Sequence, residues 1–366
     1  MPTLLVILSL VGALAVPGWA LAQDAPPAQP PASPEAADAA VQGAPASSAP
    51  DKAKDKDKKK PDEQPPGAAA PPPEKLRIYE QIDVTGRASD LVGTADSATE
   101  GVTGHEDLEK RPVLRPGEVL ETVPGVVITQ HSGSGKANQY YARGFNLDHG
   151  TDFRITVDGI DVNMPSHGHG QGYSDINFLI PELVDSVSYR KGPYDARDGD
   201  FSAAGAADIE YLTSLPKALA ELTPGTDGYG RAFAAASQKI GEGDLLGGLE
   251  ISRDDGPWVN PDGYKKFNGV LRYNRGDAAN GYTVSAMGYS GRWNSTDQVP
   301  RRAIDEGILS RFGTIDPSDG GDADRVSLSA DFRRGSETSI TRLRVFGLYS
   351  SLDLFSNFTY FLDDPV

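Results

Sequence analysis

The sequence predicts an exported protein in three parts: a disordered N-terminal tether, an α+β domain and an antiparallel transmembrane β-barrel of which about seven strands are present. Three observations support this fold class. The chain begins with an apolar segment, a Pro- and Ala-rich stretch follows, and the second half alternates apolar and polar residues in runs of roughly ten. The chain has 366 residues and no cysteine, which fits export to an oxidising compartment without disulfides.

Residues 1–22 are predicted to be a secretory signal peptide. The apolar run Leu4–Val16 is followed by Ala20-Leu21-Ala22, a small-residue cleavage site before Gln23. The run is too short to span a bilayer as a helix, so a retained anchor is the less favoured interpretation.

Residues 23–75 are predicted to be a disordered linker rich in Pro, Ala and Lys. Such a composition cannot bury enough apolar surface to offset the entropy of ordering. Its lysine-rich run Asp51–Lys60 is read as a solvated tether, and contact with peptidoglycan or lipid phosphates stays open. The net charge of −17 argues against nucleic acid as a partner.

The segment 76–215 has the motifs of an α+β domain. Phe153–Val157 alternates apolar and polar residues, Asp158-Gly159 is a strong hairpin turn, and Ile160 resumes the alternation. Upstream, Leu114–Val126 predicts a short helix that starts at a proline and ends at Pro-Gly. Downstream, Val187–Pro193 predicts a strand that ends in Arg-Lys-Gly-Pro.

These motifs resemble the plug domain of TonB-dependent outer-membrane receptors. The resemblance is carried by Tyr140–Phe145, by Ile155–Asn163, and by Val187–Pro193 leading into Phe201–Gly205. It implies a plug at 76–215 that closes a transport barrel. It also implies structural roles in the plug for Arg143, Gly144, Asp158, Gly159, Gly192 and Pro193. Arg143 is expected to brace the plug by pairing with carboxylates, as a buried arginine must be paired.

The resemblance also implies a contact with TonB, which is driven by its inner-membrane ExbB/ExbD motor. The expected contact segment is Glu80-Gln81-Ile82-Asp83-Val84-Thr85-Gly86, a short β-prone run after a flexible tether, as strand addition to a partner requires. The alternative is that this run is simply the first plug strand. The implied location is the bacterial outer membrane, with plug and tether on the periplasmic side, outer-membrane lipid around the barrel and a monomeric state.

Histidines cluster in the loops around the predicted hairpin. His149, His167 and His169, with Gln171, are expected at the ligand-facing apex of the plug. Imidazole pairs are common metal ligands, but neither cysteine nor a well-spaced carboxylate completes a set here. A metal or haem contact, a loop that hydrogen-bonds the substrate, and plain loop structure all remain open.

Other motifs do not indicate an enzyme or a cofactor. Gly133-Ser134-Gly135-Lys136 lacks the earlier glycine of a phosphate-binding loop, so nucleotide binding is rejected. The aspartates at 316, 319, 322 and 324 do not follow EF-hand spacing. No residue is predicted to be catalytic.

Residues 216–366 are predicted to supply the first part of the barrel. Seven runs with period two are found: Pro216–Thr223, Tyr229–Ile240, Asp244–Arg253, Lys266–Arg275, Gly281–Arg292, Arg325–Arg333 and Ser339–Ser351. Short joins at 241–243, 276–280 and 335–338 alternate with long joins at 254–265 and 293–324. This alternation is typical of outer-membrane barrels, whose periplasmic turns are short and whose outer loops are long.

Receptors of the resembling family close at about 22 strands. The chain is therefore expected to be a C-terminally incomplete member of it, because two open sheet edges are costly in lipid. The implied function is active uptake of a scarce nutrient, with a ferric siderophore as the default ligand. Haem, metal complexes, cobalamin and saccharides are alternative ligands, and a signalling transducer, an adhesin or pore and an inactive fragment are alternative classes.

Overall fold

The computed structural model describes residues 99–130, 133–165, 170–336 and 339–357. The predicted TonB-contact segment Glu80–Gly86, the signal peptide and the linker lie outside the described residues, as do His167 and His169. Among the residues that are described, no helix is both long and apolar enough to cross a membrane.

The described residues of the α+β domain form eight short strands, one short α-helix and three 3₁₀ helices. Its strands are β1 (Glu100–Gly104), β2 (Val126–Thr129), β3 (Gln139–Ala142), β4 (Phe145–Asn146), β5 (Phe153–Val157), β6 (Ile160–Asp161), β7 (Val184–Lys191) and β8 (Gly205–Tyr211). Its helices are α1 (His105–Glu109) and the 3₁₀ helices Pro116–Thr122, Pro181–Leu183 and Ala196–Asp198. A five-stranded sheet has the order β1-β7-β8-β5-β6, in which β5 and β8 are parallel, and β2-β3-β4 form a second sheet.

Two hairpin turns of this domain each have two consecutive residues with positive φ, and the Asp158-Gly159 turn was predicted. Asp158 and Gly159 have φ of 50° and 70° between β5 and β6, so the Asp-Gly hairpin is confirmed. Arg143 and Gly144, with φ of 52° and 85°, make the turn between β3 and β4. Two consecutive positive φ values are the type I′ geometry, which matches the right-handed twist of a hairpin.

The helix predicted near Pro116 is present, but as the 3₁₀ helix Pro116–Thr122 rather than an α-helix. Proline begins it, and the carboxylate of Glu118 accepts the backbone N–H of Arg115 at 3.3 Å, which caps its first turn. Leu120 and Val123 are both fully buried.

Within the described residues, the second half of the chain forms one seven-stranded antiparallel sheet. Its strands are β9 (Leu219–Pro224), β10 (Gly230–Ile240), β11 (Gly243–Asp254), β12 (Tyr264–Gly276), β13 (Gly281–Asn294), β14 (Gly320–Gly335) and β15 (Ile340–Phe355). All seven predicted runs are confirmed, although β14 starts earlier and β15 ends later than predicted. The sheet is open, with β9 and β15 at its edges.

The two faces of this sheet differ as the period-two pattern predicts. One face exposes large apolar side chains, among them Leu249, Ile251, Leu271, Val326, Leu328, Phe332, Leu343 and Val345. The other face buries polar and charged side chains against the α+β domain, among them Glu250, Lys266, Asn268, Arg272, Thr283 and Ser285. An apolar outer face with a polar inner face is the arrangement of an outer-membrane barrel wall.

The connections between these strands alternate in length. Tight turns join β10 to β11 and β12 to β13, and four residues separate β14 from β15. Residues 255–263 and 295–319 form long loops at the opposite end of the sheet. The helix α2 (Arg301–Asp305) lies in the second long loop.

The α+β domain and the sheet share one apolar core. Leu183 and Phe178 of the domain belong to the same buried cluster as Phe233, Leu246 and Val270 of the sheet. Glycines allow the closest approaches. A Cβ at Gly248 would lie 2.6 Å from Leu183, and a Cβ at Gly135 would lie 2.2 Å from the Trp293 indole.

Replacing Gly135 with alanine tests this close packing. Gly135 has φ of +92° and faces Trp293, so Gly135→Ala should lower the free energy of unfolding by about 2–4 kcal/mol through backbone strain and overpacking. Gly144→Ala is the matched control, because Gly144 has φ of +85° but no atom within 4 Å of its Cβ position, and should cost only about 1–2 kcal/mol. Denaturant unfolding in detergent measures both, and equal losses would contradict the packing role of Trp293.

Candidate functional site

A charged cluster joins the α+β domain to the inner face of the sheet. The guanidinium of Arg231 on β10 donates to both carboxylate oxygens of Glu182, at 2.6 and 2.9 Å. Its Nε also donates to Glu250 on β11 at 2.7 Å, and Lys266 on β12 pairs with that same carboxylate at 2.9 Å. Glu250 and Lys266 are buried, so these charges depend on one another for their partners.

A second group of contacts joins the β5–β6 hairpin and its neighbour Phe178 to the sheet. The Asp158 carboxylate accepts a hydrogen bond from Arg272 on β12 and a second from the backbone N–H of Tyr211. Asn268 donates to the carbonyl of Phe178 at 2.5 Å, and the Arg325 guanidinium lies 4.4 Å from the centre of the Phe178 ring. The turn residue that shapes the hairpin therefore also fixes it to the wall.

The third contact lies at the end of the sheet that carries the long loops. The backbone N–H of Ser134 donates to Asp262 in the β11–β12 loop at 2.8 Å, and the Ser134 hydroxyl donates to Asp254 at 3.4 Å. Next to Ser134, Gly135 packs on Trp293 and the side chain of Lys136 is buried. The Gly-Ser-Gly-Lys run thus joins this domain to the outer loops. We refer to residues Gly133–Ala137 as the apex.

Carboxylates surround the apex, and burial perturbs their titration. Burial raises the pKa of Asp262 to about 6. Burial, and after it the neighbouring charges of Asp297 and Asp316, raises the pKa of Asp319 to about 6. Burial lowers the pKa of Lys136, while the carboxylates of Asp297, Asp148 and Asp319 oppose that shift. The apex is therefore an acidic, desolvated environment around one lysine.

Of the four residues predicted for the ligand-facing apex, His149 and Gln171 are among the described residues. His149 is 2% exposed; its Nδ1 lies 3.0 Å from the carbonyl oxygen of Asn138 and its ring packs beside Tyr173. The expectation that His149 faces the ligand is therefore wrong, because its ring is buried in the interior of the domain. Gln171 is exposed beside the Met164–Tyr173 bridge, and His167 and His169 lie outside the described residues.

The expected role of Arg143 as a carboxylate-paired brace is wrong. Arg143 is exposed at the β3–β4 turn, and within the described residues it forms no ion pair with a carboxylate. The brace is Arg190 on β7, which donates to Asp198 at 2.9 and 3.0 Å and to Asp208 at 2.7 Å. Next to it, Gly192 takes φ of +94° and donates its N–H to the Ala204 carbonyl, while Pro193 is exposed.

With this geometry in place, the family comparison identifies the domain. Residues 94–206 match the family model described as "TonB-dependent Receptor Plug Domain". Residues 94–206 are a TonB-dependent receptor plug domain. The fold class predicted from the sequence is thereby confirmed as a plug followed by antiparallel strands that resemble part of a TonB-dependent barrel.

Solved structures of such receptors share the fold of plug and sheet. The unliganded ferric citrate transporter FecA is 16% identical with a TM-score of 0.56. The match covers 69% of this chain and 39% of FecA. The pyoverdine outer membrane receptor FpvA from Pseudomonas aeruginosa PAO1 is 14% identical with a TM-score of 0.53. The match covers 69% of this chain and 37% of FpvA. The copper transporter OprC is 19% identical with a TM-score of 0.52, and the match covers 72% of this chain and 38% of OprC. The chain therefore spans well under half of the receptors it resembles.

The site consists of ion pairs, hydrogen bonds and close apolar packing between the plug and the sheet. The receptors that share the fold are transporters, not enzymes. Within the described ranges, no three histidine, aspartate or glutamate side chains converge closely enough to hold a metal ion. Sequence reasoning missed Glu182, Arg231 and Asp262. Arg231 could have been found from the sequence, because every second residue of a barrel strand faces inward and a charged residue at such a position can contact the plug.

The charged cluster predicts that Glu182 secures the plug to the wall. Glu182→Gln keeps the shape of the side chain but removes the charge that pairs with Arg231. It should lower the free energy of local opening at this contact by about 1–3 kcal/mol. Hydrogen exchange followed by mass spectrometry should then show faster exchange in the segment Pro181–Lys191 than in the unaltered protein.

The matched control is Asp195→Asn, which removes the partner of the exposed Arg197 in the same domain. This variant should leave exchange in Pro181–Lys191 unchanged, because surface pairs contribute little. Unchanged exchange in the Glu182 variant would contradict the seating role.

Proposed function

We propose that this protein takes part in TonB-dependent uptake of a small, scarce nutrient across the bacterial outer membrane. In this role the chain provides the plug and the first strands of the barrel. The observation that carries the proposal is the plug packed on the polar inner face of strands whose outer face is apolar. The match of residues 94–206 to the plug family supports it. The domain boundaries 1–22, 23–75, 76–215 and 216–366 belong to the same proposal.

The mechanism proposed is closure by the plug and opening by force. The plug is fixed to the wall through Arg231 and Arg272 and to the outer loops through Ser134, so a substrate passes only after some of these contacts break. TonB, powered through ExbB and ExbD, would pull on Glu80–Gly86. Force applied there reaches β1 first, and among the described strands β1 is an edge strand that pairs with β7 alone.

Edge placement of β1 makes this direction of pull effective. Removing an edge strand breaks one ladder and leaves the order β7-β8-β5-β6 intact, whereas removing a central strand would break two. A signal peptide at 1–22 and a tether at 23–75 would place the contact segment in the periplasm, where TonB acts.

The substrate of the proposed receptor is a small nutrient complex. A ferric siderophore is the default ligand, and the resemblance in fold to a ferric citrate transporter, a pyoverdine receptor and a copper transporter is compatible with metal complexes as a class. Haem, cobalamin and saccharide ligands are the alternatives that a nutrient panel distinguishes.

Deletion of residues 76–86 tests the function most simply. In cells that depend on this protein for a limiting nutrient, chosen from an iron, zinc and sugar panel, the deletion should abolish uptake while protein level and binding stay unchanged. Deletion of residues 30–40, of equal length within the tether, is the control and should leave uptake intact. Uptake that survives the deletion of 76–86 would refute TonB coupling through this segment.

A further inference from the structure

Three basic side chains form a row on the outer face of the sheet, at the end that carries the long loops. Arg253 on β11 is directly opposite Lys265 on β12, and Lys265 is directly opposite Arg292 on β13. All three side chains are exposed, whereas Lys266 and Trp293, which follow two of them in the sequence, are buried on the inner face. We refer to Arg253, Lys265 and Arg292 as the basic row, which faces away from the plug.

The basic row concentrates positive charge on an acidic protein. Like charges that lie directly opposite each other in a sheet are destabilising, and the row contains two such pairs in succession. Asp322 on β14 is the next residue in register after Arg292, but among the described residues no ion pair joins a carboxylate to any member of the row. Because the chain has a net charge of −17, a basic composition does not explain the row. Its charges therefore call for an anionic partner from outside the chain.

A glycine on the neighbouring strand widens the row. Gly230 on β10 is directly opposite Arg253, and a Cβ at Gly230 would lie 3.6 Å from the Nε of Arg253. The Arg253 side chain thus lies toward β10, where the absence of a side chain leaves room for it. The positive charge is spread over four adjacent strands, a width of about 14 Å at the usual strand spacing.

An apolar surface lies directly beside the row on the same face. The next outward-facing residues along β11 and β12 are Ile251 and Phe267, which are opposite each other and 56% and 51% exposed. Leu249 and Leu271 continue this exposed apolar surface away from the long loops. Two residues of an antiparallel strand span about 7 Å, so the cations lie about that far from the apolar side chains. This is the order of headgroup and acyl chain in a lipid leaflet.

The charge and the place of the row indicate a phosphate-bearing lipid of the outer leaflet. In outer-membrane barrels, the end with the long loops is the outer one. A guanidinium can bind a phosphate through two parallel N–H donors, and an ammonium adds a compact positive charge. A soluble anion would meet the row alone, whereas a lipid meets both the row and the apolar surface beside it.

We propose that the basic row binds the phosphate groups of an outer-leaflet lipid whose acyl chains lie on Ile251 and Phe267. This inference rests on the outer-membrane location that the proposed function assumes, and it adds a lipid partner on a surface outside the uptake path. The bound phosphates offset the repulsion between neighbouring cations and so hold the outer ends of β11, β12 and β13 together.

Two forms of lipid A test the proposal on the purified full-length protein in detergent. The protein is titrated with diphosphoryl lipid A, and bound lipid is counted by native mass spectrometry. Replacing Arg253, Lys265 and Arg292 together with glutamine should weaken binding at least tenfold, because all three charge-assisted contacts are lost. Monophosphoryl lipid A, which has one phosphate fewer, should bind the unaltered protein at least fivefold more weakly than the diphosphoryl form.

The matched control replaces Lys239, Arg275 and Arg334 together with glutamine. These cations are exposed at the short-turn end of the sheet, so the control changes the net charge equally and should leave lipid A binding unchanged. Without lipid, the melting temperature of the row variant should not fall, because the substitutions remove repulsion. Diphosphoryl lipid A should raise the melting temperature of the unaltered protein and of the control, but not of the row variant.

Four results would overturn the lipid site. They are equal binding by the row variant and the unaltered protein, equal loss in the control variant, equal affinity for the two forms of lipid A, and displacement of lipid A by millimolar inorganic phosphate. A row variant that melts below the control without lipid would also overturn it, since the row would then belong to the fold. The deletion of residues 76–86 tests the proposed function separately. Uptake lost on that deletion, without lipid A binding, would retain the receptor and reject only the lipid site.

Discussion

The constraint on which this structure depends is the pairing of buried charge on the inner face of the sheet. Glu250, Lys266 and Arg272 are buried on that face. Glu250 and Lys266 pair with each other and, through Arg231, with Glu182 of the plug, while Arg272 pairs with Asp158 of the plug. A buried charge without a partner is costly, so the sheet and the plug each supply the partners that the buried charges of the other need.

This mutual completion links fold and function. The outer face of each strand carries apolar side chains suited to lipid, so polar groups are confined to the inner face, where a plug or water must meet them. In the proposed function, charged contacts suit a plug that has to be released, because exposure to water compensates their loss far better than it compensates the loss of apolar packing. Leu183 also packs closely on Gly248, within the apolar core that the plug and the sheet share.

The features that could be predicted from the sequence are those determined by local pattern. The seven strands follow from period-two alternation, and the Asp158-Gly159 hairpin follows from turn chemistry. The pairing of Arg231 with Glu182 joins residues 49 positions apart on two different units of the fold, and no local pattern encodes it. Arg143 failed as a brace because a positive φ at a hairpin turn places a side chain outward, whereas Arg190 lies on a strand between two carboxylates. His149 failed as a ligand residue because a histidine between loops was read as exposed, whereas its ring lies in the interior of the plug.

The central claim is that the plug must move relative to the wall for transport. This sequence has no cysteine, so Ser134→Cys combined with Asp262→Cys would introduce a single disulfide between the apex and the β11–β12 loop, where the backbone N–H of Ser134 lies 2.8 Å from the Asp262 carboxylate. Uptake of the limiting nutrient should be lost in the oxidised double variant and restored by reductant, while each single variant transports in both conditions. Full transport by the oxidised, cross-linked protein would contradict the claim.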